Sequence, residues 1–120
     1  MAYFCTNLES YEGEVVGTGQ CVVYVQKASG APKAKEWTEG EKVRGNLLIK
    51  KGTAIATFVD GKYLNQPTGN HAAIYDSQED KSGIWVYDQW VGHPVAKRLI
   101  RFRGGHGSPS NDGDAFSIIE

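Results

Sequence analysis

The sequence has few cysteines, little net charge and no long apolar segment, and each absence excludes a class of protein. Only two cysteines, Cys5 and Cys21, occur in 120 residues, and no CxxC motif is present, so the chain has no disulfide framework. The formal net charge is -1, which gives no bulk attraction to nucleic acid or to an anionic membrane. No apolar run approaches the roughly 18 residues of a membrane-spanning helix. We therefore expect neither nucleic acid nor membrane as a partner.

The N-terminal segment Met1–Thr6 lacks a basic stretch followed by an apolar one, which is the pattern of a secretory signal. We expect the protein to be made in the cytoplasm, so that action outside it would need another export route. The length and the ordinary balance of 40% hydrophobic and 22% charged residues predict one globular domain over residues 1–120.

The segment from Gln20 to Ser29 carries a mixed signal. Its valines favour a strand by propensity. However, Cys21, Tyr24, Val25 and Ala28 recur at the spacing of one helix face, and Gly30 stands where a helix C-cap would. We predict a helix here, preceded by irregular or loosely helical chain over residues 5–16 and followed by a polar loop over residues 31–45.

The rest of the chain reads as short strands separated by glycine and polar turns. The predicted strands are Thr53–Val59, Ala72–Tyr75, Ile84–Gln89, Val95–Phe102 and Ala115–Ile119. Turns are expected at Asp60-Gly61 and over 76–83, and a loop over 104–113. One helix followed by about five strands predicts an α+β fold, with the helix packed on an antiparallel sheet of five to six strands.

Cys21 lies in the first turn of the predicted helix, directly after Gly17-Thr18-Gly19-Gln20. Unpaired N–H groups and partial positive charge at a helix N-terminus favour a thiolate and can hold an oxyanion. The position suits a nucleophile, although a buried core cysteine fits the spacing as well. A Cys5–Cys21 disulfide, which would silence Cys21, stays open; otherwise Cys5 reads as a small buried hydrophobe.

A cysteine nucleophile needs a base, and His71 is the best placed of three histidines. It opens a predicted strand, whereas His93 and His106 fall in turns and loops. Counting back across the 76–83 turn brings His71 level with Asp88 or Gln89, whose side chains alternate between the two faces of the sheet. We prefer Asp88 as the residue that orients His71, because a carboxylate also stabilises an imidazolium; Gln89 is the alternative.

The sequence predicts no metal site and no cofactor. Asn111-Asp112-Gly113-Asp114 resembles part of a calcium loop, but aligning Gly113 with the invariant loop glycine puts Ile119 where a bidentate Glu should stand. The basic residues within the fourth predicted strand and just beyond it are typical of an exposed strand face; they are Lys97, Arg98, Arg101 and Arg103.

Three motifs together resemble the NlpC/CHAP family of papain-related cysteine amidases. Gly19-Gln20-Cys21-x-x-Tyr24 is similar to the family's cysteine motif, Gly69–Tyr75 to its histidine strand and Ile84–Gln89 to its third-residue strand. Gly52–Phe58 resembles the strand before the histidine. Trp90 is a departure, because CHAP proteins usually have Asn at that position. The sequence also resembles small NlpC-like proteins of Gram-negative bacteria, some similar to amidase effectors of type VI secretion.

The resemblance implies a cysteine peptidase that cleaves an amide bond in bacterial peptidoglycan, with Cys21 as nucleophile, His71 as base and Asp88 as its partner. Gly19, Gln20, Gln89 and Trp90 are then expected around the oxyanion and substrate, with Trp37, Tyr63 and Tyr24 as further candidates for groove walls. The resemblance also implies that the protein acts in the periplasm, which would be that of a target cell if the protein is a secreted toxin. A cognate immunity protein is then expected as a partner.

Two alternatives remain on the residues alone: a Cys–His acyltransferase or deamidase, and a non-catalytic binding or immunity module.

Overall fold

Helix α1 (Cys21–Ser29) forms although three of its nine residues are valines. Tyr24 and Val25 are fully buried on its apolar face, so tertiary packing outweighs the strand propensity of the β-branched residues. Gly30 ends the helix in the left-handed conformation, with φ +77° and its N–H donating to the Gln26 carbonyl. The predicted helix is therefore confirmed to within one residue.

The computed structural model describes all 120 residues, and α1 packs on a six-stranded antiparallel sheet. The strands are β1 (Glu39–Lys42), β2 (Ala54–Thr57), β3 (Ala72–Glu79), β4 (Gly83–Trp90), β5 (His93–Arg101) and β6 (Phe116–Ile119). Their order across the sheet is β1-β6-β2-β3-β4-β5. Short 3-10 helices occur at Leu8–Tyr11, Ala34–Glu36, Pro109–Asn111 and Gly113–Ala115. The predicted α+β class with an antiparallel sheet is confirmed.

Both faces of the sheet are buried at its central strands, whereas the edge strands β1 and β5 are partly exposed. On one face, Ile74 and Tyr87 pack with Tyr24 and Val25 of α1. On the other, Ile55 and Val86 pack beneath the connecting segments that carry Ile49 and Phe102. The central strands therefore have apolar residues at successive positions rather than a strict alternation. None of the helices has the length and apolarity that crossing a membrane would require.

The structure corrects three predicted boundaries. The polar loop predicted over 31–45 contains β1, which forms because its backbone pairs with β6 at a sheet edge, where no apolar alternation is needed. Strand β3 continues to Glu79, and an irregularity in its pairing between Tyr75 and Ser77 hides the alternation that would have revealed it. His93 begins β5 instead of lying in a turn.

Gln89 ties β4 to the segment before α1, and this set of contacts is called the Gln89 clamp below. Its side chain is fully buried. Its Oε1 accepts from the Val16 N–H at 2.9 Å, and its Nε2 donates to the carbonyls of Val16 and Gln20, each at 2.9 Å. The amide therefore fixes the residue that immediately precedes Cys21. Gln89 faces neither substrate space nor His71, so its prediction as a substrate or orienting residue is wrong.

Replacing Gln89 by Met should destabilise the fold and also slow the reaction of Cys21 with a thiol reagent. The Val16 N–H would lose its partner, at about 1–3 kcal/mol for a buried group left unsatisfied. The carbonyls of Val16 and Gln20 would keep only their backbone donors, the N–H groups of Gly19 and Tyr24. Urea unfolding measures the first effect, and the alkylation rate of Cys21 at neutral pH measures the second.

Gln78→Met is the matched control, because Gln78 holds a different loop near the β3–β4 turn. Its Nε2 donates to the carbonyls of Val43 and Asn46, and its Oε1 accepts from the Gly45 N–H. This variant should lose stability while Cys21 keeps its reactivity. Equal loss of reactivity in both variants would mean that general loosening, and not the Gln89 clamp, controls Cys21.

Candidate active site

Cys21 is the first residue of α1 and lies half-buried at the end of the sheet. The N-cap residue Gln20 has an extended backbone, and its side chain makes no capping hydrogen bond. The first-turn N–H groups of α1 are therefore not occupied by a side-chain cap and face the space around Cys21 with the positive end of the helix dipole. The thiol thus sits where a thiolate and an oxyanion are both stabilised.

His71 and Asp88 form a buried pair next to Cys21. His71 is 6% exposed and Asp88 1% exposed, and Nε2 of the ring lies 2.6 Å from Asp88 Oδ2. Because a carboxylate only accepts, Nε2 carries the proton and Nδ1 remains for the thiol. Continuing the β3–β4 register from Ile74–Tyr87 brings Ala73 opposite Asp88, so His71 reaches the carboxylate diagonally on the same sheet face.

The electrostatics of the site favour a thiolate–imidazolium pair. Burial opposes ionisation of Cys21, but the hydrogen bond and charge of His71, with smaller contributions from the Ala72 backbone and Tyr63, lower the pKa of the thiol below its ordinary value. Burial likewise opposes protonation of His71, but Asp88 and then Cys21 raise the pKa of the ring to about 9. At neutral pH the proton therefore belongs to His71.

Tyr63 and Asn70 form a second polar contact to the thiol. The Tyr63 hydroxyl lies 3.8 Å from Cys21 Sγ, and Asn70 Nδ2 donates to the same hydroxyl oxygen at 3.2 Å. Burial, followed by the charge of Cys21, raises the pKa of Tyr63, so the phenol stays protonated and can donate to a thiolate. Sequence reasoning treated Tyr63 only as a groove wall and missed Asn70, which adjoins His71 in the chain.

A groove of about 640 Å³ opens over Cys21 and His71. Gln20, Tyr63, Trp90 and Val91 are among its lining residues, so Gln20, Tyr63 and Trp90 lie where they were expected. The Trp90 ring meets His71 edge-on at 6.3 Å between centroids and stacks on the exposed His93 ring at 4.0 Å. His106, in contrast, lies exposed in its loop.

Other predicted groove residues lie elsewhere. Gly19 is buried, and its N–H donates to the Val16 carbonyl at 3.0 Å, so it offers no donor to substrate. Its φ of +89° instead turns the chain into α1. Tyr24 is completely buried beneath the helix, and the buried Trp37 packs on the inner side of Tyr63. Both belong to the hydrophobic core and not to the groove.

Arg98 is a site residue that sequence reasoning missed. It was assigned to an exposed strand face, yet its Nε donates to Asp88 Oδ2 at 2.8 Å, the same oxygen that His71 contacts. Its guanidinium also lies 5.0 Å from the centre of the Trp90 ring. Asp88 therefore lies between two cationic side chains, protonated His71 and Arg98, and hydrogen-bonds to both. Identifying Arg98 as a site residue requires the β4–β5 register. This register pairs Arg98 with Val86, so that Arg98 lies on the same sheet face as Asp88.

The structure contains both cysteines as free thiols, with Cys5 buried and Cys21 half-buried. No group of three or more His, Cys, Asp or Glu side chains is arranged to hold a metal. Asp112, in the segment compared with a calcium loop, instead accepts backbone N–H groups from Arg103, Gly105 and Asp114, so it organises the loop that covers the sheet.

This chain is similar to known proteins over nearly its whole length. The family model for Domesticated amidase effector 2 matches residues 1–119. The chain is 40% identical to a type VI secretion amidase effector 2 protein of Salmonella typhi, with all of both chains covered. It is 39% identical to domesticated amidase effector 2 of Ixodes scapularis, covering 97% of this chain and 83% of that one. A solved structure of type 6 secretion amidase effector 2 (Tae2) superposes with a TM-score of 0.85 at 38% identity, covering 98% of this chain and 94% of the other.

Removing His71 should make Cys21 a poorer nucleophile near neutral pH. The positive charge that lowers the thiol pKa would be gone, so in His71→Ala the pH dependence of alkylation by iodoacetamide should move to higher pH. We expect about a 10-fold or greater loss of alkylation rate at pH 7, with a smaller loss in Tyr63→Phe.

Mass spectrometry of each cysteine provides an internal control, because Cys5 is only 2% exposed and should stay unmodified while the protein is folded. An unchanged alkylation profile in His71→Ala would show that His71 does not ionise Cys21.

Proposed function

We propose that this chain, which belongs to the domesticated amidase effector 2 family, is a cysteine amidase that hydrolyses an amide bond in bacterial peptidoglycan. The type VI secretion amidase effectors among its relatives support both the activity and the substrate class. The observation that carries the proposal is the Cys21–His71–Asp88 arrangement at the floor of an open groove.

Each of the three side chains acts at a defined step of the proposed reaction. The Cys21 thiolate attacks the amide carbonyl carbon, and the His71 imidazolium gives its proton to the leaving amine, so the C–N bond breaks and a thioester remains. Neutral His71 then takes a proton from water as the water attacks the thioester, and the thiolate is regenerated with the carboxylic acid product. Asp88 fixes the ring through Nε2 and stabilises its charge in both steps.

The N-terminus of α1 is placed to stabilise the oxyanion of the tetrahedral intermediate. The Cys21 N–H lies in the first turn, where no side chain occupies the backbone donors, and the Gln20 side chain lines the groove without a protein partner. Such preorganised donors stabilise the charge that develops on the carbonyl oxygen. Trp90 supplies an apolar wall for the substrate on the His71 side of the groove.

The family names also bear on where the protein acts. A type VI secretion effector would reach the peptidoglycan of a target cell in its periplasm, and we propose this site of action. A toxin with that substrate would also threaten the cell that makes it. We therefore propose a cognate immunity protein that blocks the groove over Cys21.

Digestion of purified Gram-negative peptidoglycan tests the proposal directly. Wild-type protein should release new muropeptide fragments, identified by mass spectrometry, and Cys21→Ala should release none. Cys5→Ala is the matched control and should retain the activity, since Cys5 lies in the core away from the groove. Folded, reduced wild-type protein that releases no fragments would contradict the proposal; Cys21 that still alkylates rapidly would then favour an acyltransferase or deamidase.

The pH dependence of kcat/KM should be bell-shaped. Activity rises as Cys21 loses its proton, at a pH below the ordinary value for a thiol because His71 lowers the pKa of Cys21. It falls near pH 9, where His71 loses the proton that the leaving amine needs. In Tyr63→Phe only the acid limb should move, to higher pH. A profile that rises without an alkaline limb would contradict the role of imidazolium as the proton donor.

A further inference from the structure

A second cavity, of about 350 Å³, adjoins the groove over Cys21. The two share a wall formed by Pro67, Asn70, His71 and Trp90, but Cys21 lines only the groove and Arg98 lines only the second cavity. The second cavity, called the Arg98 cavity below, therefore lies on the side of His71 away from the nucleophile.

The lining of the Arg98 cavity suits an anion. It includes no Asp or Glu, and besides Arg98 it contains the hydroxyl group of Thr68 and the hydroxyl groups of Ser108 and Ser110, which are hydrogen-bonded to each other at 2.8 Å. The Arg98 side chain lines this cavity and is a quarter exposed overall. Its Nε is committed to Asp88, whereas its two Nη groups make no hydrogen bond with the protein. A guanidinium with two free Nη groups is the side chain best suited to binding a carboxylate.

The geometry of the proposed reaction decides which part of a substrate would reach this cavity. The scissile carbonyl carbon must lie at Cys21, with its oxygen at the α1 N-terminus. The leaving nitrogen must then face His71, which donates the proton. The residue that owns this nitrogen therefore extends past His71, in the direction of the Arg98 cavity.

We propose that the Arg98 cavity is a subsite for a carboxylate carried by the amine side of the substrate, with the Nη groups of Arg98 as its ligands. This inference rests on the proposed amidase function and adds a specificity for acidic leaving groups. Arg98 then has two contacts with different roles: Nε holds Asp88, and the Nη groups bind the substrate anion. Held by Asp88 on one side and by Trp90 on the other, the guanidinium is already oriented before the substrate arrives.

Equilibrium binding to Cys21→Ala protein tests the subsite without turnover. The probes are a purified cross-linked muropeptide and the same muropeptide after its carboxylates have been converted to carboxamides. Calorimetric titration should give an affinity about 10- to 100-fold higher for the unmodified muropeptide, which is the range expected for hydrogen bonds to a charged group.

The same titrations on Cys21→Ala proteins that also carry Arg98→Lys or Arg101→Gln assign the preference to a residue. Arg98→Lys keeps a positive charge beside Asp88 but lacks the two free Nη donors, so the preference for the carboxylate should fall to about 3-fold or less. Arg101 is exposed on the same strand and does not line the cavity, so Arg101→Gln should retain the full preference. Thermal unfolding checks that each variant is folded.

Equal affinities for the two muropeptides, no binding of either, or a preference that survives Arg98→Lys would overturn the subsite. Failure of the amidase proposal would look different. Wild-type protein would then leave peptidoglycan intact, whatever the Cys21→Ala titrations showed. Cleavage that does not depend on the carboxylates would, in contrast, support the amidase and refute the subsite.

Discussion

The site depends on two neighbouring residues of β4 whose side chains point to opposite faces of the sheet. Asp88 holds His71 on one face, and the Gln89 clamp holds the segment before Cys21 on the other. One strand thereby sets the position of both base and nucleophile, because the pleat alternates side chains at every residue. A one-residue shift of β4 would place an amide at the histidine and a carboxylate among the buried carbonyls, so the register of this strand is strongly constrained.

The parts of this arrangement that could be predicted from sequence are the local ones. Helical spacing identified α1 and placed Cys21 at its start, and a count across the β3–β4 turn brought His71 close to Asp88. Both rest on contacts between residues near each other in the chain, where periodicity and turn chemistry are informative. The count succeeded despite the irregular pairing of β3 because His71 and Asp88 meet diagonally, which tolerates a small error in register.

The parts that could not be predicted depend on partners far away in the chain. Strand β1 forms because β6 pairs with it, and the residues Glu39–Lys42 do not themselves predict this pairing. Gln89 and Asp88 are both polar residues at the end of a strand, and only the backbone groups of Val16 and Gln20 distinguish their roles. In the sequence, Arg98 does not differ from the other basic residues near it. Only the β4–β5 register brings it to Asp88.

These different separations along the chain also have a kinetic consequence. His71 and Asp88 are 17 residues apart and belong to one hairpin, whereas Gln89 meets Val16 across 73 residues. Closing the longer loop costs more conformational entropy, so the hairpin carrying the base can form before the helix carrying the nucleophile docks on it. Partly folded chains would then contain the histidine pair without a positioned thiol. On this folding order, a newly made chain gains hydrolytic competence only in the last stage of folding, when α1 docks on the sheet.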